Sequence, residues 1–279
     1  LSNNHKLLGN TNDEGGLFLA GLMLESQIDQ LVGYVMRQGK NNFAVIAPNN
    51  QFGFTVTDIL KDTVLDRGGN FTASEIYEYN ARDLDKIVER VVNSFTIASH
   101  LAEGGGNKIK KNTVFNESDR QYAQAILVPE SGAILSKIAQ LVKEANKTQR
   151  DIKLIGTNQW DELSTLNDDN LIGSWFAAPE TEKFRVFEKK YFKQYNKFPP
   201  RISSIPYDLV NLLAKLSEEN KGEPLSFKNL IGGNLVKDGF NGIDGLFRFL
   251  PNGYVQRNLA ILKVDNGQFE VIEEPVKIF

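Results

Sequence analysis

The chain contains no cysteine among its 279 residues and only two histidines. The missing thiols exclude disulfides and thiolate nucleophiles and say little about compartment. So few histidines leave zinc ligation and Ser-His or Cys-His catalysis without their parts. No apolar run approaches the roughly 20 residues needed to cross a bilayer. The opening Leu1-Ser-Asn-Asn-His-Lys6 is polar, unlike a signal peptide. A formal net charge of −3 provides no long-range attraction for nucleic acid or anionic lipid. There is no G-x-S-x-G elbow, no Walker A loop and no G-x-G-x-x-G after a strand. His5 and His100 stand in polar contexts and read as solvated. The adjacent acids Asp161 and Glu162, and Asp168 and Asp169, lie in polar loops where carboxylates are usually hydrated. The expectation is a binding protein with no enzymatic activity, no cofactor and no metal.

What is present is a repeated strand-to-loop pattern. Phe43-Ala-Val-Ile-Ala47 breaks into Pro48-Asn-Asn-Gln-Phe-Gly53, Ala125-Ile-Leu-Val128 into Pro129-Glu-Ser-Gly132, and Lys153-Leu-Ile155 into Gly156-Thr-Asn-Gln-Trp160. Between these runs the apolar residues recur at helical spacing: Ile28, Leu31, Val32 and Val35; Val56, Ile59, Leu60 and Val64; Leu84, Ile87, Val88, Val91, Val92 and Phe95; Leu135, Ile138, Leu141 and Val142. The strand runs are continuously apolar, as expected when helices cover both faces of a sheet. Strand alternating with helix predicts a doubly wound α/β layer. In such layers a ligand sits outside the carboxyl ends of the strands.

Gly16-Leu-Phe-Leu-Ala-Gly21 reads as a strand without preceding strand-helix units, so an N-terminal segment, one with room for a signal or lipid-attachment sequence, is expected ahead of it. Asn170 to Ala178 is another strand candidate, followed by a helix from about Thr181 that stops before Pro199-Pro200 and a second helix around Tyr207 to Leu216. Glu103 to Arg120 reads as a polar insertion on a surface loop. Gly245-Leu-Phe-Arg-Phe-Leu250, Asn258 to Val264 and Phe269 to Ile272, separated by turns with Asn-Gly, predict a terminal antiparallel meander.

The series FLAGL, ESQIDQLVGYV, FAVIAPNNQFG, AILVPESG, LIGTNQW, GSWFAAP, FPPRISSIPYD and FNGIDGLFRFLPNGYVQRNLAIL resembles the type I periplasmic binding proteins of the leucine/isoleucine/valine-binding class. It is closer still to an alphaproteobacterial branch labelled penicillin-binding-protein activators. The resemblance covers essentially the whole chain. It implies a two-lobed α/β fold with parallel sheets flanked by helices, an incomplete first lobe (1–24 and 200–240) and a second lobe (25–199 and 241–279). It implies an extracytoplasmic, lipid-anchored protein that closes a small polar or amphipathic ligand between its lobes for an ABC transporter. The alternative is an interaction protein of the same fold that activates a cell-wall synthase.

Carried over position by position, the resemblance points to Gln51 and Phe52, Glu130 and Ser131, and Thr157 and Asn158 as ligand-facing. Amino-acid binders often place an aromatic hydroxyl near the position of Phe52 and a carboxylate near that of Asn158. Neither is present here, and Glu130 is the one charged candidate of the six. Several of these residues also suit structural roles. Asn49, Asn50, Gly53 and Asn158 fit turns and helix caps, Glu130 at the head of a helix favours the helix dipole, and Trp160 and Trp175 fit packing.

Overall fold

The computed structural model describes residues 17–97, 120–226, 229 and 238–279. The chain divides into two compact units. One comprises Ile28–Ala177 and Leu262–Glu270; the other takes its described residues from Leu1–Gln27, Ala178–Ile261 and Val271–Phe279.

The larger unit begins within helix α1 (Leu24–Arg37) and continues through β1 (Asn42–Pro48), α2 (Gln51–Asp66), β2 (Asn70–Tyr77) and α3 (Leu84–Asn93). A small antiparallel pair, β3 (Phe95–Ile97) and β4 (Arg120–Tyr122), precedes β5 (Ala125–Leu127), α4 (Gly132–Ala145), β6 (Lys153–Gly156), the short α5 (Leu163–Leu166) and β7 (Trp175–Ala178). The helices bury most of the stripes that the spacing predicts: Val56, Leu60 and Val64 on α2, Ile87, Val88, Val91 and Val92 on α3, and Leu135, Ile138, Leu141 and Val142 on α4, whereas Phe95 falls in β3 and is exposed. Each buried side chain of these stripes contributes about 1.5–3 kcal/mol.

The sheet order is β12-β11-β7-β6-β5-β1-β2, with β1 paired in parallel to both β2 and β5, and β6 in parallel to β5 and β7. The chain runs outward from β1 to β2, then returns to β5 on the other side of β1. The strand order therefore reverses between β1 and β5, the position where open α/β sheets form a crevice at their carboxyl ends.

The other unit contains α6 (Thr181–Tyr195), α7 (Ser204–Glu219) and an antiparallel meander of β8 (Phe240–Gly242), β9 (Gly245–Phe249) and β10 (Val255–Arg257). Its core joins Leu19, Ala20 and Met23 to Ile205, Leu212 and Leu216 of α7 and to Phe240, Phe247, Phe249 and Val255 of the meander. Beneath it lies a buried polar cluster. Asp208 of α7 accepts from the backbone N–H of Ile243 at 2.8 Å and of Asp244 at 3.3 Å. Asp244 accepts from Arg201 and from Ser204, each at 2.6 Å, while Arg257 donates to the Asp244 carbonyl at 3.1 Å. Gly242 is required here, because an added Cβ would lie 2.2 Å from Asp208 Oδ2.

Several expectations meet a different arrangement. The C-terminal meander is present, but its strands are divided between two sheets: β8, β9 and β10 form the three-stranded sheet, whereas β11 (Ala260–Asp265) and β12 (Gln268–Glu273) extend the seven-stranded one. Hydrogen-bond partners of strands are set by distant segments, which local alternation does not reveal. Residues 178–199, read as part of the second lobe, belong to the same unit as α7, since Phe187 of α6 packs on Tyr207 of α7 with ring centroids 5.0 Å apart. The meander strands β8 to β10 join that unit too, through the core just described. Within the Gly16 to Gly21 strand reading, Leu19 makes a single parallel bridge to Tyr254. Gly16, His5, His100 and residues 103–119 of the polar insertion lie outside the described residues.

One pH effect arises here. Glu180, at the N-cap of α6, is hydrogen-bonded to Glu274. Burial, then that bond and the Glu274 charge, raise its pKa above the usual 4.5, against the pull of Lys183 and Lys277. A carboxyl whose folded pKa is raised binds its proton more tightly in the folded state, so its contribution to stability falls as pH rises through and above 4.5. Replacing Glu274 by Gln should therefore stabilise the protein at pH 7.5 relative to pH 4.5. At this largely solvated site the gain should be below about 1 kcal/mol. The measurement is the melting temperature of Glu274→Gln minus that of the parent at the two pH values; a difference independent of pH rejects the coupling.

Candidate functional site

Three loops leave β1, β5 and β6 at the carboxyl edge of the sheet. The first is fixed by Asn50, whose extended backbone (φ −154°, ψ 173°) and side-chain oxygen cap α2 through the Gly53 N–H at 2.8 Å. Gly53 is demanded by space, since a Cβ there would lie 2.0 Å from the Pro48 carbonyl oxygen. The first turn of α2 thus carries Gln51, exposed, and Phe52, half-buried.

The second loop places Glu130 and Ser131. Ser131 holds the N-cap position of α4 with extended backbone, but its hydroxyl makes no capping bond. Gly132 follows at φ +59° and donates its N–H to Glu162 at 2.9 Å, so Glu162 serves to fasten this loop to the third. In the third loop Thr157 is buried, and its hydroxyl accepts from the Gln159 N–H at 3.4 Å, capping the short helical turn Asn158–Trp160. Trp160 is wholly buried, donates its indole N–H to the Val128 carbonyl at 3.1 Å and covers Gly156, where a Cβ would fall 2.1 Å from the ring. It is a packing residue. Trp175 packs as well, edge-on to Tyr34 at 5.1 Å with the Lys153 ammonium 4.6 Å above its ring.

The carboxylate at the centre of this edge is Glu130. Only 8% exposed, it accepts a hydrogen bond from the hydroxyl of Tyr77, the last residue of β2. Burial first, and the Glu130 bond second, push the Tyr77 phenol far above its ordinary pKa of 10, so it remains a protonated donor. Tyr79 sits beside it, with ring centroids 6.1 Å apart and near perpendicular. Its pKa is raised as well, by burial, then by the Glu130 charge and by a hydrogen bond to the Glu130 carboxylate, while a hydrogen bond with Asn50 lowers it. Asn49 ties the first loop to the same corner, donating its backbone N–H to the Tyr77 carbonyl at 2.7 Å and its amide to Glu78. No ion pair of Glu130 is found among the described residues.

The six sequence-derived residues therefore stand on three loops at one edge of one sheet, with Gln51, Phe52, Glu130 and Ser131 flanking the β1/β5 reversal and Thr157 and Asn158 one strand further on. Thr157 is turned inward. Tyr77 and Tyr79 were not among the candidates; the signal for them is the half-buried polar strand Asn70–Tyr77, which ends in two tyrosines around Glu78. Among the described residues no group of three or more His, Asp or Glu side chains could hold a metal ion.

No protein-family model and no curated protein matches the chain by sequence. Solved structures match it in fold. A Rhodospirillum rubrum protein assigned to a branched-chain amino acid ABC transporter superposes with a TM-score of 0.70 at 16% identity over 91% of this chain and 67% of its own. An ABC-transporter substrate-binding protein from Desulfitobacterium hafniense in complex with Leu gives 0.62 at 17% identity, over 96% and 70%. A solute-binding protein of an ABC transporter from Rhodopseudomonas palustris in complex with 3,4-dihydroxybenzoic acid gives 0.59 at 16%, over 93% and 66%. This chain spans about two thirds of the length of each of them. The fold is that of the type I periplasmic binding proteins.

Proposed function

We propose that this protein is an extracytoplasmic solute-binding protein serving an ABC transporter, with its ligand held at the carboxyl edge of the larger unit's sheet. The proposal draws on the binding proteins that share its fold. It draws also on the site's own chemistry, which suits recognition of a small polar ligand. The observation that carries it is Glu130, a buried carboxylate at the strand-order reversal, held by the hydroxyls of Tyr77 and Tyr79 and by no cationic side chain among the described residues. Carboxylates almost never lie buried unless they are paired. A ligand bearing an ammonium or amidinium group supplies the opposite charge. Gln51, Phe52, Ser131 and Asn158 surround the rest of it, Tyr77 and Tyr79 flank the carboxylate, and Thr157 positions the Asn158 turn.

The test is calorimetric titration of the protein with a panel of small amines, amino acids and aromatic acids. A cationic member should bind, and Glu130→Gln should weaken it tenfold to a hundredfold, the equivalent of about 1.4–2.8 kcal/mol for a charge-assisted hydrogen bond. The melting temperature should stay nearly unchanged, because Gln still accepts from Tyr77. Equal affinity in the variant removes Glu130 from the site; binding of no member of the panel removes the solute-binding reading.

A further inference from the structure

The net charge of −3 conceals a strong local imbalance. Between Glu188 and Asp208 the chain has no acidic residue, while it carries Lys189, Lys190, Lys193, Lys197 and Arg201 interleaved with Tyr191, Phe192, Tyr195, Phe198 and Tyr207. This stretch is the second half of α6, the turn after it and the start of α7, all within the smaller unit.

The turn is built rather than frayed. Asn196 adopts the left-handed conformation (φ 51°) and donates its N–H to the Phe192 carbonyl at 2.8 Å, which ends the helix. Pro199 is buried, and Ser203 closes the next turn through its N–H and its hydroxyl on the Pro200 carbonyl, at 2.9 and 2.6 Å. On this fixed frame the apolar side chains face water. Tyr195 is 60% exposed, Phe198 68% and Ile202 62%, with Phe192 stacked on Phe198 at 4.7 Å. Lys189, Lys193 and Lys197 around them are exposed as well.

We propose that this turn is a docking surface for an anionic phospholipid bilayer. Aromatic and aliphatic side chains at a fixed turn, with lysines beside them and no acidic residue in the chain between Glu188 and Asp208, match what the headgroup layer of such a bilayer accepts: ring-bearing residues at the interface and cations against the lipid phosphates. A protein partner fits less well. A stable protein interface covers about 800 Å² on each side, more than Phe192, Tyr195, Phe198 and Ile202 can provide. This inference stands on the smaller unit alone and does not depend on the ligand reading.

The experiment is co-sedimentation of the whole chain with vesicles of phosphatidylcholine, and of phosphatidylcholine mixed with phosphatidylglycerol. The protein should pellet with the anionic vesicles only and be released by high salt. The pair Phe198→Ser with Ile202→Ser, and separately Lys193→Glu with Lys197→Glu, should each reduce partitioning roughly tenfold or more, with circular dichroism and melting temperature as in the parent. Phe198→Trp, a milder change, should show a blue-shifted emission when anionic vesicles are added. Failure to pellet, partitioning that both paired variants leave intact, or an unshifted tryptophan overturns the proposal. So does a lipid-independent dimer that Phe198→Ser with Ile202→Ser dissociates, since it would make the turn a self-association face.

Discussion

Trp160→Ala should destabilise the larger unit by about 3–5 kcal/mol, the range for deleting a fully buried aromatic side chain. The indole is wholly buried, lies against Gly156 of β6 and spans to the loop after β5 through its bond to the Val128 carbonyl. Its loss opens a cavity and leaves that carbonyl without the indole donor. Because Trp160 closes the third loop against the second, the mutation should also raise amide exchange at Glu130 and Gly132 while leaving the meander β8 to β10 protected. Trp175 is the only other tryptophan and lies in the same unit, so its fluorescence during urea unfolding reports the loss directly. Trp160→Phe keeps most of the packing and loses the hydrogen bond, so it should cost clearly less, about 1–2 kcal/mol. Gly156→Ala should approach the alanine variant from the other side, since its methyl would have to occupy the space 2.1 Å from the ring. A loss below about 1 kcal/mol in Trp160→Ala would mean that the third loop is held by other contacts.

The parts of this unit that were legible in sequence share a physical cause. β1, β5 and β6 are buried after their first residues, so beyond Asn42 and Lys153 they read as continuous apolar runs, and each helix between them shows its single buried stripe. β2 was not legible. It is an edge strand, half-buried along most of its length, and its mixture of Asn, Thr, Ser and Glu gives no apolar run to read. The site inherits the same division. Glu130 was legible as a carboxylate at a strand end, whereas the two tyrosines that surround it come from the end of the strand that could not be seen. The division of the terminal strands between two sheets was equally hidden: β10 and β11 are separated only by Asn258 and Leu259, and which sheet each joins depends on segments far away in the chain.

In the smaller unit the largest effect should come from Asp208. Its carboxylate sits under the β8–β9 turn, accepting two backbone N–H groups of that turn, and the adjacent Gly242 has no room for even a methyl group. Burial raises the Asp208 pKa above 3.8, while the Ile243 and Asp244 N–H bonds pull it down. Desolvation is the larger of these, so ionised Asp208 is held at a net cost and acts mainly as an acceptor of fixed geometry. Asp208→Ala removes both acceptors and one of the two carboxylates whose charge acts on buried Arg257, so it should cost about 3–5 kcal/mol, the range for breaking a buried charged network. Asp208→Asn keeps one acceptor and should cost about 1–2 kcal/mol. The raised pKa fixes the pH dependence. The folded state binds this proton more tightly than the unfolded chain, so the parent's advantage over Asp208→Asn should be widest in acid and narrow as pH rises through and above 3.8. Melting temperatures of the three proteins from acid to neutral pH, with amide exchange of Ile243 and Asp244, decide the matter. If Asp208→Asn costs as much as Asp208→Ala, the carboxylate's charge toward Arg257, and not its two hydrogen bonds, holds the turn.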